Sequence, residues 1–313
     1  DCWGAMASTT DDSLSTWNAF PQWIDSLQKL LACNPASPTN LEGVQACSRM
    51  VERMLHDLGF TVRRVLNERK SSTGERAGAD ILVATRRPGS DAAKRARDYV
   101  GLFGHFDVEK IKEPNEWVTE DPMVPEVVDG RVFCRGVGDN LGPLLLRLIA
   151  LSQMPANLAP GLVWFLHGEE EIQSPFALEM YPQLTEETPE VARVALWIEE
   201  TGYFESDGRQ RVMHMHGEAG ISGPILELLR TSASRFGREP PVIVERYMNK
   251  AFGTEGCPCL AHLVRGGTAP YLAIGPNDLR TAIHRSNESV PIDTLAISSS
   301  QFLDVLALVA ARA

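Results

Sequence analysis

The 313-residue chain has little of several features that would mark other classes of protein. It has no run of roughly 18 apolar residues, so no segment is predicted to span a membrane. It has no basic stretch followed by an apolar one at its start, so no signal peptide is predicted. Its 30 lysines and arginines are outnumbered by 41 aspartates and glutamates, and the net charge of −11 argues against nucleic acid or an anionic membrane as a partner.

Cysteines are few and irregularly placed. The six cysteines include one close pair, Cys257 and Cys259, whose C-x-C spacing does not by itself make a zinc site. The pattern predicts buried or free thiols in a reducing compartment, and therefore a cytoplasmic location. An apolar content of 43% is ordinary for a globular protein.

What the sequence does contain is a series of short apolar runs, each typical of a strand buried on both faces. These runs are residues 99–103, 162–166, 194–198 and 271–274. Other segments predict helices at 41–58, 141–152 and 221–236, and strands at 60–66 and 80–84. The alternation predicts an α/β fold, namely a single three-layer α/β/α domain over residues 21–313 with a mostly parallel central sheet, preceded by a loose arm at residues 1–20.

Three of the apolar runs end in acidic residues or histidine. His105 and Asp107 follow the first run, residues 169–171 are three glutamates after the second, and Glu199 and Glu200 end the third. Parallel strands bring their carboxyl ends to one edge of a sheet, so these side chains should gather there. Burying so many carboxylates without a counter-charge is costly, and metal cations are the simplest compensation.

The motifs in this region resemble those of the M20 metallopeptidases, and they occur in the order of that family. His105-Phe-Asp107-Val resembles the H-x-D-V motif. The segment from Cys134 to Pro143 resembles the R-G-x-x-D-x-K-G motif, in the form found in carnosinases and cytosolic nonspecific dipeptidases. Further matches are Glu170-Glu171-Ile-Gln-Ser174, Ile198-Glu-Glu200, Gly266-Gly267-Thr268-Ala-Pro270 and Ile283-His284-Arg-Ser-Asn-Glu288.

The resemblance implies two divalent metal ions at the carboxyl ends of the strands: zinc, with manganese or cobalt as alternatives. His105 and Glu200 would bind one ion, Glu171 and His284 would bind the other, and Asp139 would bridge them. Glu199 competes with Glu200 for its role. The family also has a cis peptide bond after the bridging aspartate, here between Asp139 and Asn140.

Two further residues receive roles from the resemblance. Glu170 would be the general base for a metal-activated water, and Asp107 would hold the ring of His105. The implied activity is hydrolysis of an amide bond in a small peptide or an N-acyl amino acid, as in a dipeptidase, carboxypeptidase or deacylase. One alternative is an M20 descendant that keeps the metals for non-hydrolytic acyl chemistry or for ligand binding alone. The other is an aminopeptidase of the M28 type.

The chain also departs from the family pattern. Full M20 enzymes carry a lid and dimerisation domain after the third acidic ligand, whereas here only a short segment at about 204–219 follows Glu200. The lid is therefore predicted to be absent and the protein to be a monomer. Leu141 stands where the family has lysine.

The missing lid also affects the predicted substrate contacts. In the family the lid supplies a histidine that stabilises the oxyanion, and His214 and His216 are the candidates to replace it; the alternative interpretation is that both are exposed spectators. The segment Gly266, Gly267 and Thr268 is expected to contact substrate through its resemblance to the dipeptidases.

Overall fold

The computed structural model describes residues 17–89, 98–200, 202–217, 220–247, 258–265 and 269–312. Within these residues the helices are α1 (Phe20–Leu31), α2 (Leu41–Asp57), α3 (Leu141–Gln153), α4 (Pro175–Glu187), α5 (Ser222–Arg235), α6 (Pro258–Arg265) and α7 (Ile292–Arg312). The strands are β1 (Ala36–Ser37), β2 (Thr61–Val65), β3 (Ile81–Arg86), β4 (Tyr99–His105), β5 (Val108–Glu109), β6 (Glu126–Val128), β7 (Arg131–Phe133), β8 (Gly161–His167), β9 (Val194–Glu199), β10 (Tyr203–Phe204), β11 (Gln210–Met215), β12 (Val242–Glu245), β13 (Tyr271–Ala273), β14 (Asn277–Asp278) and β15 (Ser289–Pro291).

The main sheet has a parallel centre and antiparallel margins. Strands β8, β4, β9 and β13 lie side by side and run parallel. On one side β3 and then β2 continue the sheet antiparallel to their neighbours, and on the other β11 pairs antiparallel with β13. Strand β12 pairs parallel with β11, and the short strand β10 pairs antiparallel with β11 and parallel with β14. The predicted α/β fold is confirmed.

Side chains that alternate along the central strands point to opposite faces of the sheet, and both faces are buried. Leu102 and Ile198 face a core shared with α1, α2, α3, α5 and α7. Phe103 and Trp197, one residue away in each strand, face a second core shared with α4 and α6. Because successive side chains of a strand point to opposite faces, two helical layers can cover one sheet, which gives the three-layer arrangement.

The sequence signals for individual elements also hold. The predicted helix at 41–58 is α2: the side chain of Asn40 caps its first turn by accepting from Gly43 N–H at 3.0 Å, and Gly59, with φ of 79°, follows its end. A glycine at positive φ is a common helix stop.

Residues 1–16 of the predicted arm lie outside the described residues, but Trp17 packs against Trp23 of α1 with ring centroids 6.1 Å apart.

Helix α7 is long and apolar enough, by length and composition alone, to cross a membrane. Its apolar residues Phe302, Val305, Leu306 and Val309 are fully or almost fully buried in the core beneath the sheet. Burial against the domain therefore accounts for the composition of this helix.

Candidate metal centre

The last residue of β4 is His105, whose imidazole lies between two carboxylates. Its Nε2 is 2.9 Å from Asp139 Oδ1, and its Nδ1 is 3.2 Å from Asp107 Oδ1. Burial opposes ionisation of the ring, but the hydrogen bonds to Asp107 and Asp139 outweigh it and raise the pKa of His105 well above its usual value. The contact with Asp107 assigns Nδ1 as the donor and leaves Nε2 for a metal ion.

Asp107 also joins β4 to the turn that follows β8. It is fully buried, and its Oδ1 and Oδ2 accept from the backbone N–H groups of Glu170 and Glu171, each at 3.2 Å. One carboxylate therefore orients both the His105 ring and the turn that carries the predicted base.

Asp139 presents one carboxylate oxygen to each of two histidines. Oδ1 faces His105, while Oδ2 lies 3.2 Å from Nε2 of His284. The same Nε2 lies 2.8 Å from Glu171 Oε2. Burial raises the pKa of Asp139, but its hydrogen bonds to the two imidazoles outweigh burial and hold that pKa below the usual value. Four of the five predicted ligands thus meet at one place.

The loop that carries Asp139 is fixed by Glu288, a fully buried carboxylate. Its Oε2 accepts from Arg135 Nη1 at 2.7 Å and from Gly136 N–H at 3.1 Å. Its Oε1 accepts from Gly138 N–H at 2.8 Å and from Asp139 N–H at 3.0 Å. The peptide bond that follows Asp139 is cis, as the resemblance implies. The sequence motifs assign no role to Glu288, although this residue closes the H-x-x-N-E motif.

Glu170 and Glu171 begin a single 3-10 turn directly after β8 and its short connection. Burial raises the pKa of Glu170, and it raises that of Glu171 to about 7. Apart from the ion pair with His284, both oxygens of Glu171 are buried without a hydrogen-bond partner among the described residues. Buried carboxylate oxygens with unused lone pairs need a cation, so this donor set fits a metal.

Strand β9 leads into two buried glutamates with different partners. Glu199 Oε2 accepts from the hydroxyl of Tyr271 at 2.8 Å, and Glu200 Oε2 accepts from Arg147 Nη1 at 2.9 Å. Burial raises the pKa of Glu200 to about 8, against the attraction of Arg147. The hydrogen bond that Glu200 accepts comes from Arg147 and not from a histidine of the cluster, and its coordination of a metal stays a prediction.

Comparison with known proteins decides the family. A sequence profile of peptidase family M20/M25/M40 matches residues 101–307. The chain belongs to this family. Mouse Beta-Ala-His dipeptidase is 37% identical over 94 residues, which are 29% of this chain and 18% of that protein. The matched segment thus spans less than a fifth of that relative's length. The predicted M20 membership is confirmed, in preference to the M28 alternative.

Solved structures of M20 proteins share the fold of this chain. Human carnosine dipeptidase 1 aligns with a TM-score of 0.67 and 12% identity, covering 96% of this chain and 98% of that one. An M20 metallo-carboxypeptidase from Sulfolobus solfataricus aligns with a TM-score of 0.70 and 12% identity, covering 93% and 99%. At such low identity the likeness concerns the fold.

Arg147 is a buried charge of this M20 chain that lies outside the motifs of the sequence. It lies in the middle of the apolar helix α3, is 3% exposed, and donates to Glu200. Its Nη2 is buried without a partner among the described residues. A single charge within an otherwise apolar helix was the available signal, because a buried charge needs a nearby counter-charge.

The structure does not bring His214 and His216 to the metal cluster. In β11, His214 lies opposite Leu272 of β13, which lies opposite Ile198 of β9. Because β11 runs antiparallel to β13, residues after His214 lead away from the edge where Glu200 lies. The oxyanion role predicted for these histidines therefore does not fit the arrangement within this chain. The predicted substrate contacts Gly266, Gly267 and Thr268 lie outside the described residues.

His167, the last residue of β8, is a buried histidine that should make the free energy of unfolding depend on pH. Its Nδ1 and Nε2 lie 2.9 Å from Tyr181 Oη and 2.8 Å from Ser174 Oγ, and burial lowers its pKa from 6.5 to about 3. Between these values the unfolded chain binds a proton that the folded chain does not. The free energy of unfolding should therefore fall as the pH drops from 6.5 towards 3, by up to about 1.4 kcal/mol per pH unit from this group.

Urea denaturation of metal-free protein at pH 7 and pH 5 measures this dependence. His167→Gln keeps an acceptor and a donor but cannot titrate, so it should lose less stability than wild type over the same interval. Equal losses in the two proteins would show that His167 does not contribute.

Proposed function

We propose that this M20 chain is a two-metal hydrolase that cleaves an amide bond of a small peptide or an N-acyl amino acid. The observation that carries the proposal is the Asp139 carboxylate, which offers a different oxygen to each of two imidazoles. A carboxylate shared in this way is the bridging ligand that a two-metal site requires. His105 with Glu200 would hold one ion, and His284 with Glu171 the other.

The charges of the site support the binding of two divalent metal ions. Burial raises the pKa of Glu170, Glu171 and Glu200, since each loses hydration among other carboxylates. Two divalent cations would offset this negative charge. Imidazole nitrogen and carboxylate oxygen suit zinc, with manganese or cobalt as alternatives. To bind an ion, Glu200 would have to exchange or share its hydrogen bond from Arg147.

Each residue then has a role in amide hydrolysis. Two bound cations would polarise the scissile carbonyl and make a water molecule more acidic. Glu170 would take a proton from that water and deliver it to the leaving amine, and its raised pKa brings the carboxylate closer to the working pH of such a base. Asp107 would hold the His105 ring and the backbone of Glu170 and Glu171 in place through three hydrogen bonds.

The names of the relatives support the substrate class, since one is a dipeptidase and another a carboxypeptidase. The alternative of non-hydrolytic acyl chemistry or ligand binding is less favoured, because binding alone needs no base such as Glu170 beside the ligands. The monomeric state, the cytoplasmic location, and the absence of nucleic-acid and membrane partners stay predictions.

Metal removal tests the proposal. Protein treated with a chelator should lose hydrolysis of a panel of dipeptides and N-acyl amino acids, and adding back zinc, manganese or cobalt in excess should restore it. The loss should be nearly complete, because the ions supply both the polarisation of the carbonyl and the acidity of the water. Hydrolysis that survives removal of all bound metal would contradict the proposal.

A further inference from the structure

Three side chains with metal-binding atoms meet where β11 and β12 pair, away from the cluster around Asp139. His214 in β11 lies directly opposite Glu245 in β12, and His216 follows just after β11 ends. The ligand atoms of His214, His216 and Glu245 all lie within 4.8 Å of one another. We propose that these three residues form a separate transition-metal site, with zinc as the fitting ion.

The spacing of these atoms matches a tetrahedral site. Oε2 of Glu245 lies 3.3 Å from His214 Nδ1 and 3.4 Å from His216 Nε2. Zinc binds nitrogen and oxygen at about 2.0–2.1 Å, so neighbouring ligands in a tetrahedron are about 3.3–3.4 Å apart. The contact between Glu245 Oε2 and His214 Nδ1 is also within hydrogen-bond distance, so a bound ion would replace this hydrogen bond.

The surroundings of His214 also suit a ligand. Its side chain is fully buried, so the ring is held in one place at the pairing of β11 with β12. Its other nitrogen, Nε2, lies 3.1 Å from the hydroxyl of Ser222. A hydrogen bond on the far nitrogen fixes the tautomer and the ring orientation, as is usual for histidines that bind metals.

The site is closed on one side and open to solvent on the other. The side chain of His214 is buried, whereas those of His216 and Glu245 are 66% and 36% exposed. Three protein ligands with an open face leave a fourth position for water. The neighbouring Arg246 directs its guanidinium at Met213 Sδ, at 3.0 and 3.3 Å.

A metal here would join two strands. Among the described residues, β12 pairs with β11 alone, so it depends on that one contact for its place in the sheet. A bound ion would link Glu245 at the end of β12 to two residues of the β11 strand and its extension. The site is therefore expected to stabilise this margin of the domain and to leave the chemistry at Asp139 unchanged.

Metal counting tests the site. Tag-free wild-type protein, dialysed against zinc and analysed for bound metal, should hold one equivalent more than His216→Ala or Glu245→Gln. Each of these variants removes one ligand at an exposed position, so folding should be preserved. Ser222→Ala should keep the extra equivalent but weaken it by about 10–100-fold, because only the support of the His214 ring is lost.

The control is His56→Ala, which removes an exposed histidine outside both clusters. It should bind as much zinc as wild type. A tetrahedral cobalt spectrum in an Asp139→Ala background, lost on adding His216→Ala, would identify the site separately from the predicted catalytic pair. Equal metal content in wild type, His216→Ala and Glu245→Gln would overturn the proposal, whatever the fate of the hydrolase assignment.

Discussion

Replacing Glu170 with glutamine should lower kcat for amide hydrolysis by about 10²–10⁴-fold and leave the bound metal unchanged. Glu170 begins the turn after β8, and Asp107 Oδ1 accepts a hydrogen bond from its backbone N–H at 3.2 Å. Because the substitution leaves this bond intact, it should preserve the turn. What the amide cannot do is accept a proton from water. Steady-state kinetics on the best substrate, with metal analysis of the same sample, measures both effects.

The neighbouring residue provides the matched control. Glu171→Gln should lose metal as well as activity, because Glu171 is the partner of His284 at 2.8 Å. If Glu170→Gln turned over substrate at close to the wild-type rate, Glu170 would not be the base. If that variant lost metal as Glu171→Gln does, its role would be coordination. Full metal content with no substrate turnover in wild type would instead favour the binding-only alternative.

Replacing Glu288 with glutamine should lower the free energy of unfolding by about 3–5 kcal/mol. The buried carboxylate accepts four hydrogen bonds, one of them from the buried Arg135. Glutamine removes the counter-charge of Arg135 and turns one acceptor into a donor that faces other donors. Guanidinium denaturation of metal-free protein measures the loss.

Glu186→Gln is the matched control for this stability change, because it makes the same substitution at an exposed position of α4. It should change the free energy of unfolding by less than about 0.5 kcal/mol. A similarly small change in Glu288→Gln would show that the Asp139 loop is held by other contacts.

Much of the fold could be predicted because local pattern and tertiary structure agree. The apolar runs that became β4, β8, β9 and β13 are buried on both faces, which leaves little ambiguity about their place in the sheet. The histidines and acids that follow them could be predicted to meet because parallel strands share a carboxyl edge.

What could not be predicted depends on contacts that no local pattern encodes. The partner of Glu288 is a loop 149–153 residues earlier in the chain, and its support of Asp139 appears only in three dimensions. The partner of Glu200 is Arg147, which lies on another element. The position of His214 and His216 has a different cause. The sequence predicts a short segment at about 204–219 but not its direction, and the antiparallel course of β11 leads these residues away from the cluster.

The long separation between Glu288 and the loop that it fixes means that the predicted metal centre can be completed only late in synthesis. During synthesis the strands β4, β8 and β9 leave the ribosome well before residue 288, and a domain generally folds as a unit once it has emerged. Until then Arg135 has no carboxylate partner, and His284 is also missing from the cluster. The binding of metal is therefore a late event in the life of the chain. A polypeptide that ends before residue 284 lacks both His284 and the buried residues of α7, so it is expected to have no finished metal centre.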